Sequence, residues 1–83
     1  MGRREKLLRR FLSKPWDFTW RELVTLLASF DYKVRRGSKT GGSRGRFIHP
    51  ERGPICLHKP HSGHLRQYQL EQIIDLLREE GLI

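Results

Sequence analysis

Four histidines and a dense set of arginines and lysines are the residues of this chain best suited to chemistry. His49, His58, His61 and His64 all fall in its second half. Free imidazole titrates near a pH of about 6.5, so it can take or give a proton at working pH. Arginine does not lose its proton in a protein, but it grips a phosphate at two points. Together they allow proton transfer beside a held anion. His58, His61 and His64 recur every third residue near Cys56, a pattern that invites a metal ion. Pro60 prevents one helix face from presenting them, and no second ligand pair exists elsewhere. The residues therefore predict neither a metal nor a cofactor. His49, before Pro50, reads as turn packing, and His64 as a loop or helix-start residue.

The chain has 83 residues and a net charge of +8. Its length predicts one domain, residues 1–83, with one small core. Between Asp31 and Arg66 nine Lys/Arg face two Asp/Glu, a balance of +7. Residues 1–30 carry seven against three, and residues 67–83 one against four. So dense a positive centre points to a polyanion partner. A single cysteine excludes an internal disulfide and fits a reducing compartment. No apolar run reaches the ~20 residues of a membrane span, and the start lacks a continuous hydrophobic region. The expectation is a soluble, cytoplasmic protein with neither a membrane partner nor a small-molecule ligand.

The elements that must position these groups follow from local pattern. Leu7, Leu8, Phe11 and Leu12 share one stripe of a helix over residues 4–13, which Pro15 stops. Thr19–Trp20–Arg21–Glu22 is a capping box, with Phe18 and Leu23 at the staple positions, so a second helix starts at Trp20 and ends near Phe30. Trp16 and Trp20 read as core or staple residues rather than as stacking platforms. Strands are predicted over Tyr32–Arg36, Arg44–His49 and Pro54–His58, Gly45 weakening the second. A final helix runs from Gln67 to Glu80 with Leu70, Ile73, Ile74 and Leu77 inward. Gly81 suits its left-handed cap, and Leu82 the hydrophobic contact that goes with it. The order α-α-β-β-β-α predicts an α+β sandwich, a three-stranded antiparallel sheet with helices on one face.

Strand side chains alternate between faces. With Tyr32, Val34, Phe47, Ile55 and Leu57 toward the helices, the other face presents Lys33, Arg35, Arg44, Arg46, Ile48, Cys56 and His58. A solvated face normally intersperses acids, and this one has none, so it reads as a phosphate-binding surface. The neighbouring loop Gly37–Ser38–Lys39–Thr40–Gly41–Gly42–Ser43 could bring backbone amides to phosphate oxygens. It lacks Walker spacing and is not a P-loop.

Several of these pieces occur together in a known family: the apolar-faced N-terminal helix, Gly42–Ser43–x–x–x–Phe47–x–His49–Pro50, Lys59–Pro60–His61 after the third strand, and Leu70–x–x–Ile73–Ile74 running to Gly81. Over nearly its whole length the chain resembles the HicA-type toxins of bacterial toxin–antitoxin pairs. The resemblance implies a fold like a double-stranded-RNA-binding domain and activity as an mRNA interferase, a metal-independent endoribonuclease. It also implies two partners, mRNA and a cognate HicB-type antitoxin. The chain departs from the family at one position. The family places a histidine after the Gly–Ser pair, whereas Arg44 follows Gly42–Ser43 and Lys39 follows Gly37–Ser38.

Cleavage of RNA through its 2′-hydroxyl needs a base, an acid and a cation near the phosphorane. His58 shares the basic face, and His61 matches the family's histidine after the third strand. These two are the candidate catalytic residues. Lys33, Arg35, Arg36, Lys39, Arg44, Arg46 and Lys59 are the candidate RNA contacts. The alternative implied by the missing histidine is an RNA-binding module of the same fold that does not cut. A DNA-binding role finds no recognition-helix motif to support it.

Overall fold

The computed structural model describes residues 2–35, 44–60 and 62–83, with the backbone but not the side chain of Arg44. Within them the chain is α+β. Helix α1 spans Arg3–Leu12 and α2 Trp20–Ala28; strands β1 (Lys33–Arg35), β2 (Arg44–Ile48) and β3 (Ile55–His58) follow, and α3 (Gln67–Glu79) closes the order. The strands form an antiparallel meander, β1-β2-β3. No described helix is long and apolar enough to cross a membrane.

Helix α2 starts where its capping box requires. The Glu22 N–H donates to Thr19 Oγ1 at 3.1 Å, and the Thr19 N–H donates to Glu22 Oε1 at 3.1 Å. Phe18 and Leu23, on either side, are both fully buried. The helix ends with Asp31 in the left-handed region (φ 72°). There the Tyr32 N–H bonds to Leu27 O and the Asp31 N–H to Ala28 O, the two bonds of a Schellman cap. Helix α3 ends the same way at Gly81 (φ 71°), with the Leu82 N–H on Leu77 O and the Gly81 N–H on Arg78 O. At the end of α1 only the inner bond forms, from the Lys14 N–H to Phe11 O. Pro15 has no N–H to supply the outer one.

One core joins all three helices to one side of the sheet. Phe11, Phe18, Leu23, Leu26, Leu27, Phe47, Leu70 and Leu77 are fully buried, with Ile55 and Leu57 nearly so. Phe11 and Phe18 meet at 5.4 Å between ring centroids, which fixes α1 against the entry to α2. Arg10 reinforces that junction through Nε to Glu22 Oε2 at 2.8 Å and Nη2 to Asp17 Oδ1 at 3.0 Å. The Glu22 carboxyl is held below its usual pKa, first by this hydrogen bond from Arg10. Burial pushes the Tyr32 phenol up, and among the described residues its hydroxyl has no partner.

Three expectations need correction. Leu12, expected on the inward stripe, is exposed at the end of α1, where Phe11 alone turns into the core. Val34 takes the helix-side row of the register, yet it is also exposed, on the edge strand β1. Trp16, expected in the core or as a staple, is 75% exposed. Phe18 fills the staple position instead, and Trp16 lies in the connection before it. Trp20 does pack against the core, half-buried.

Candidate functional site

Residues paired across antiparallel strands project to the same face of the sheet. The register opposes Arg35 to Arg46 and Arg46 to Cys56, giving a row across all three strands. Lys33 faces Ile48 at one end of that face, and Arg44 is the backbone partner of His58 at the other. The alternate rows are Val34–Phe47–Ile55 and Gly45–Leu57. Phe47, Ile55 and Leu57 are buried beneath the helices, whereas Lys33, Arg35, Arg46, Cys56 and His58 are exposed. The face expected from alternation is the open face of the sheet.

Its electrostatics are one-sided. Arg35 and Arg46 stand directly opposite each other, an arrangement that costs free energy when both residues carry the same charge. Among the described residues, ion pairs join Arg10 to Asp17 and Glu22, Lys14 to Glu71, and Arg52 to Glu80. None of them reaches the open face. An anion lying across this row would meet two guanidinium groups and displace no carboxylate.

His58 ends β3 with its side chain exposed and its backbone fixed. Its carbonyl accepts from Gln69 Nε2 at 2.9 Å. Gln69 is only 3% exposed, and its Oε1 accepts the Arg66 N–H at 3.0 Å. One buried carboxamide thus ties the end of the sheet to the start of α3. Lys59, also exposed, follows immediately. His49 belongs elsewhere, as expected of a turn residue. Its Nδ1 accepts the Glu51 N–H at 3.0 Å, and its ring lies 4.8 Å from that of Tyr32. Arg36, Lys39, His61 and the Arg44 side chain lie outside the described residues.

Two supports of this face escaped the sequence reading. Gln69 looks like any polar helix residue, although a polar residue between Gln67 and the apolar Leu70 is where a reciprocal cap would fall. Gly45 lowers strand propensity, but its role is steric. The Trp20 indole covers it and packs on Phe47 at 5.4 Å between centroids, and a Cβ at Gly45 would overlap the indole ring.

Three helices backing a three-stranded sheet with a cationic open face define a small α+β protein. A family model described as the HicA toxin of bacterial toxin–antitoxin systems matches residues 20–82. The chain belongs to that family, and membership implies a cognate antitoxin as partner. Comparisons with curated proteins and with solved structures gave no significant match. The match begins at the first residue of α2, so α1 lies ahead of it.

Proposed function

We propose that this toxin binds mRNA on the open sheet face and cleaves it there, until a cognate antitoxin neutralises it. The observation that carries the proposal is the Arg35–Arg46 row with His58 on the same face and no described carboxylate paired to it. The two guanidinium groups hold the phosphate, with Lys33, Arg36, Lys39, Arg44 and Lys59 as further contacts along the strand. One histidine takes the proton of the 2′-hydroxyl as that oxygen attacks the adjacent phosphorus. The 5′-oxygen leaves with a proton from the second histidine. The products are a 2′,3′-cyclic phosphate and a 5′-hydroxyl end, with no metal needed for the proton balance. His58 and His61 fill these two roles, and Gln69 holds the His58 backbone while they act.

The alternative is a module that binds RNA without cutting it. The residue favouring it is Arg44, which stands where the family carries a histidine and cannot serve as a base. Incubation of the purified protein with mRNA decides between them. Cleavage to 5′-hydroxyl ends, lost in both His58→Ala and His61→Ala, supports the proposal. Cleavage that survives both substitutions removes the histidine roles. Binding without cleavage by the wild-type protein establishes the alternative.

A further inference from the structure

Trp16 is the most exposed large apolar side chain described, at 75%, and the backbone on either side of it is tied down. Before it, Lys14 adopts a left-handed conformation (φ 53°) and its carbonyl accepts from Gln67 Nε2 at 3.2 Å. After it, Arg10 Nη2 donates to Asp17 O at 3.1 Å, and Phe18 O accepts the Leu65 N–H at 2.7 Å. The His64 ring stands nearly perpendicular to the indole, 84° at 6.0 Å between centroids. His64 is itself fixed by a bridge to Thr19. With its backbone tied on both sides, this segment has less conformational entropy to lose when a flat partner settles on the indole.

We infer that Trp16, with His64 set edge-on, is a stacking platform for an unpaired nucleobase, extending the sheet's phosphate-binding face toward single-stranded RNA. The inference rests on the RNA-binding reading of that face. The sheet face supplies cations but no Trp, Tyr or Phe, so it can hold a backbone without engaging the bases. Proteins that bind single strands combine a basic track with aromatic rings on which bases stack. Gln69 ties the end of β3 at His58 to the start of α3 at Arg66, two residues beyond the His64 that meets the indole. Arg66 is exposed, and the acids near the platform are already engaged, Asp17 by Arg10 and Glu71 by Lys14. That charge suits an RNA strand rather than an acid-binding peptide.

The test compares wild-type, Trp16→Ala, Trp16→Phe and the Arg35→Ala/Arg46→Ala double variant. Each is titrated with a short 2′-O-methyl oligouridylate, which cannot be cleaved through the 2′-oxygen, and with a duplex RNA of the same length. Trp16→Ala is expected to weaken single-strand binding on the order of tenfold, the loss of one stacked base. Its salt dependence and its duplex affinity should match the wild type, and Trp16→Phe should retain most of the binding. Quenching of tryptophan fluorescence by the oligonucleotide should be largely absent in Trp16→Phe. Unchanged single-strand affinity in Trp16→Ala, or equal losses for single strand and duplex, overturns the platform. If that happens while the double arginine variant still loses affinity, the RNA-binding reading stands without it. A wild-type protein that binds neither RNA overturns both.

Discussion

Trp20 occupies the space that a side chain at Gly45 would need. A Cβ there would overlap Cζ2 and Cη2 of the indole, which packs at the same time on Phe47. The pair seats the first turn of α2 against β2, on the row behind the cationic face. Gly45→Ala should destabilise the protein by about 1–3 kcal/mol through overpacking. Adding Trp20→Leu to Gly45→Ala should recover part of that loss. Urea unfolding of the two single variants and the double measures the coupling. Strictly additive effects would separate the two residues.

Arg35 and Arg46 predict opposite effects on folding and binding. Removing both charges relieves a directly opposed like-charged pair, worth about 0.2–1 kcal/mol across a sheet. The Arg35→Ala/Arg46→Ala variant should therefore melt no lower than the wild type. Its RNA affinity should fall, and the slope of log K against log salt should flatten by about 0.7 per lost contact on a single strand. Melting curves and binding at several salt concentrations provide both readings. An unchanged slope would make the face merely solvated.

Glu22 gives the protein an acid-sensitive hinge between α1 and α2. Its folded pKa lies below the ordinary carboxylate value of about 4.3 because Arg10 hydrogen-bonds the ionised form. A depressed carboxylate contributes stability that is present above its unfolded pKa and is lost as pH falls through its folded value. Glu22→Gln should therefore melt below the wild type at neutral pH. The gap between them should narrow as pH drops below about 4. A gap of constant size across that range would show that the ionised form of Glu22 is not what sets the loss.

Gln69→Leu leaves both the His58 carbonyl and the Arg66 N–H without their buried partner. The expected cost is about 1–3 kcal/mol. Gln69→Glu keeps an acceptor for Arg66 but offers no amide donor to His58. It also buries a carboxylate against the His58 carbonyl, so it should loosen the end of β3 more than the leucine variant does at neutral pH. Amide exchange around residues 57–60, compared between the two variants, separates the bonds.

What the sequence revealed was local, and what it concealed was long-range. The capping box at Thr19 and Glu22 and the left-handed cap at Gly81 follow from neighbouring residues, and both form. The alternation that sorted Lys33, Arg35, Arg46, Cys56 and His58 onto one face needs only the period of a strand, and the register preserves it. Trp16 lies two residues before Phe18, whose carbonyl accepts the Leu65 N–H from far along the chain, a pairing that no local pattern reveals. The need for glycine at position 45 depends on an indole from another element. Buried Gln69 is polar, and composition alone gives no sign that a single carboxamide will satisfy two separate backbones.

The family match stops short of α1, but the fold does not. Phe11 from that helix is fully buried in the common core, and Arg10 supplies the counter-charge for Glu22. A chain trimmed to residues 20–82 would keep the whole span that the family model matches and would lose Phe11 and Phe18 from the core. It would open a hydrophobic wound around Leu23 and leave a carboxylate at the mouth of α2 unanswered. The first dozen residues therefore carry part of the stability of a region that the family match covers without them.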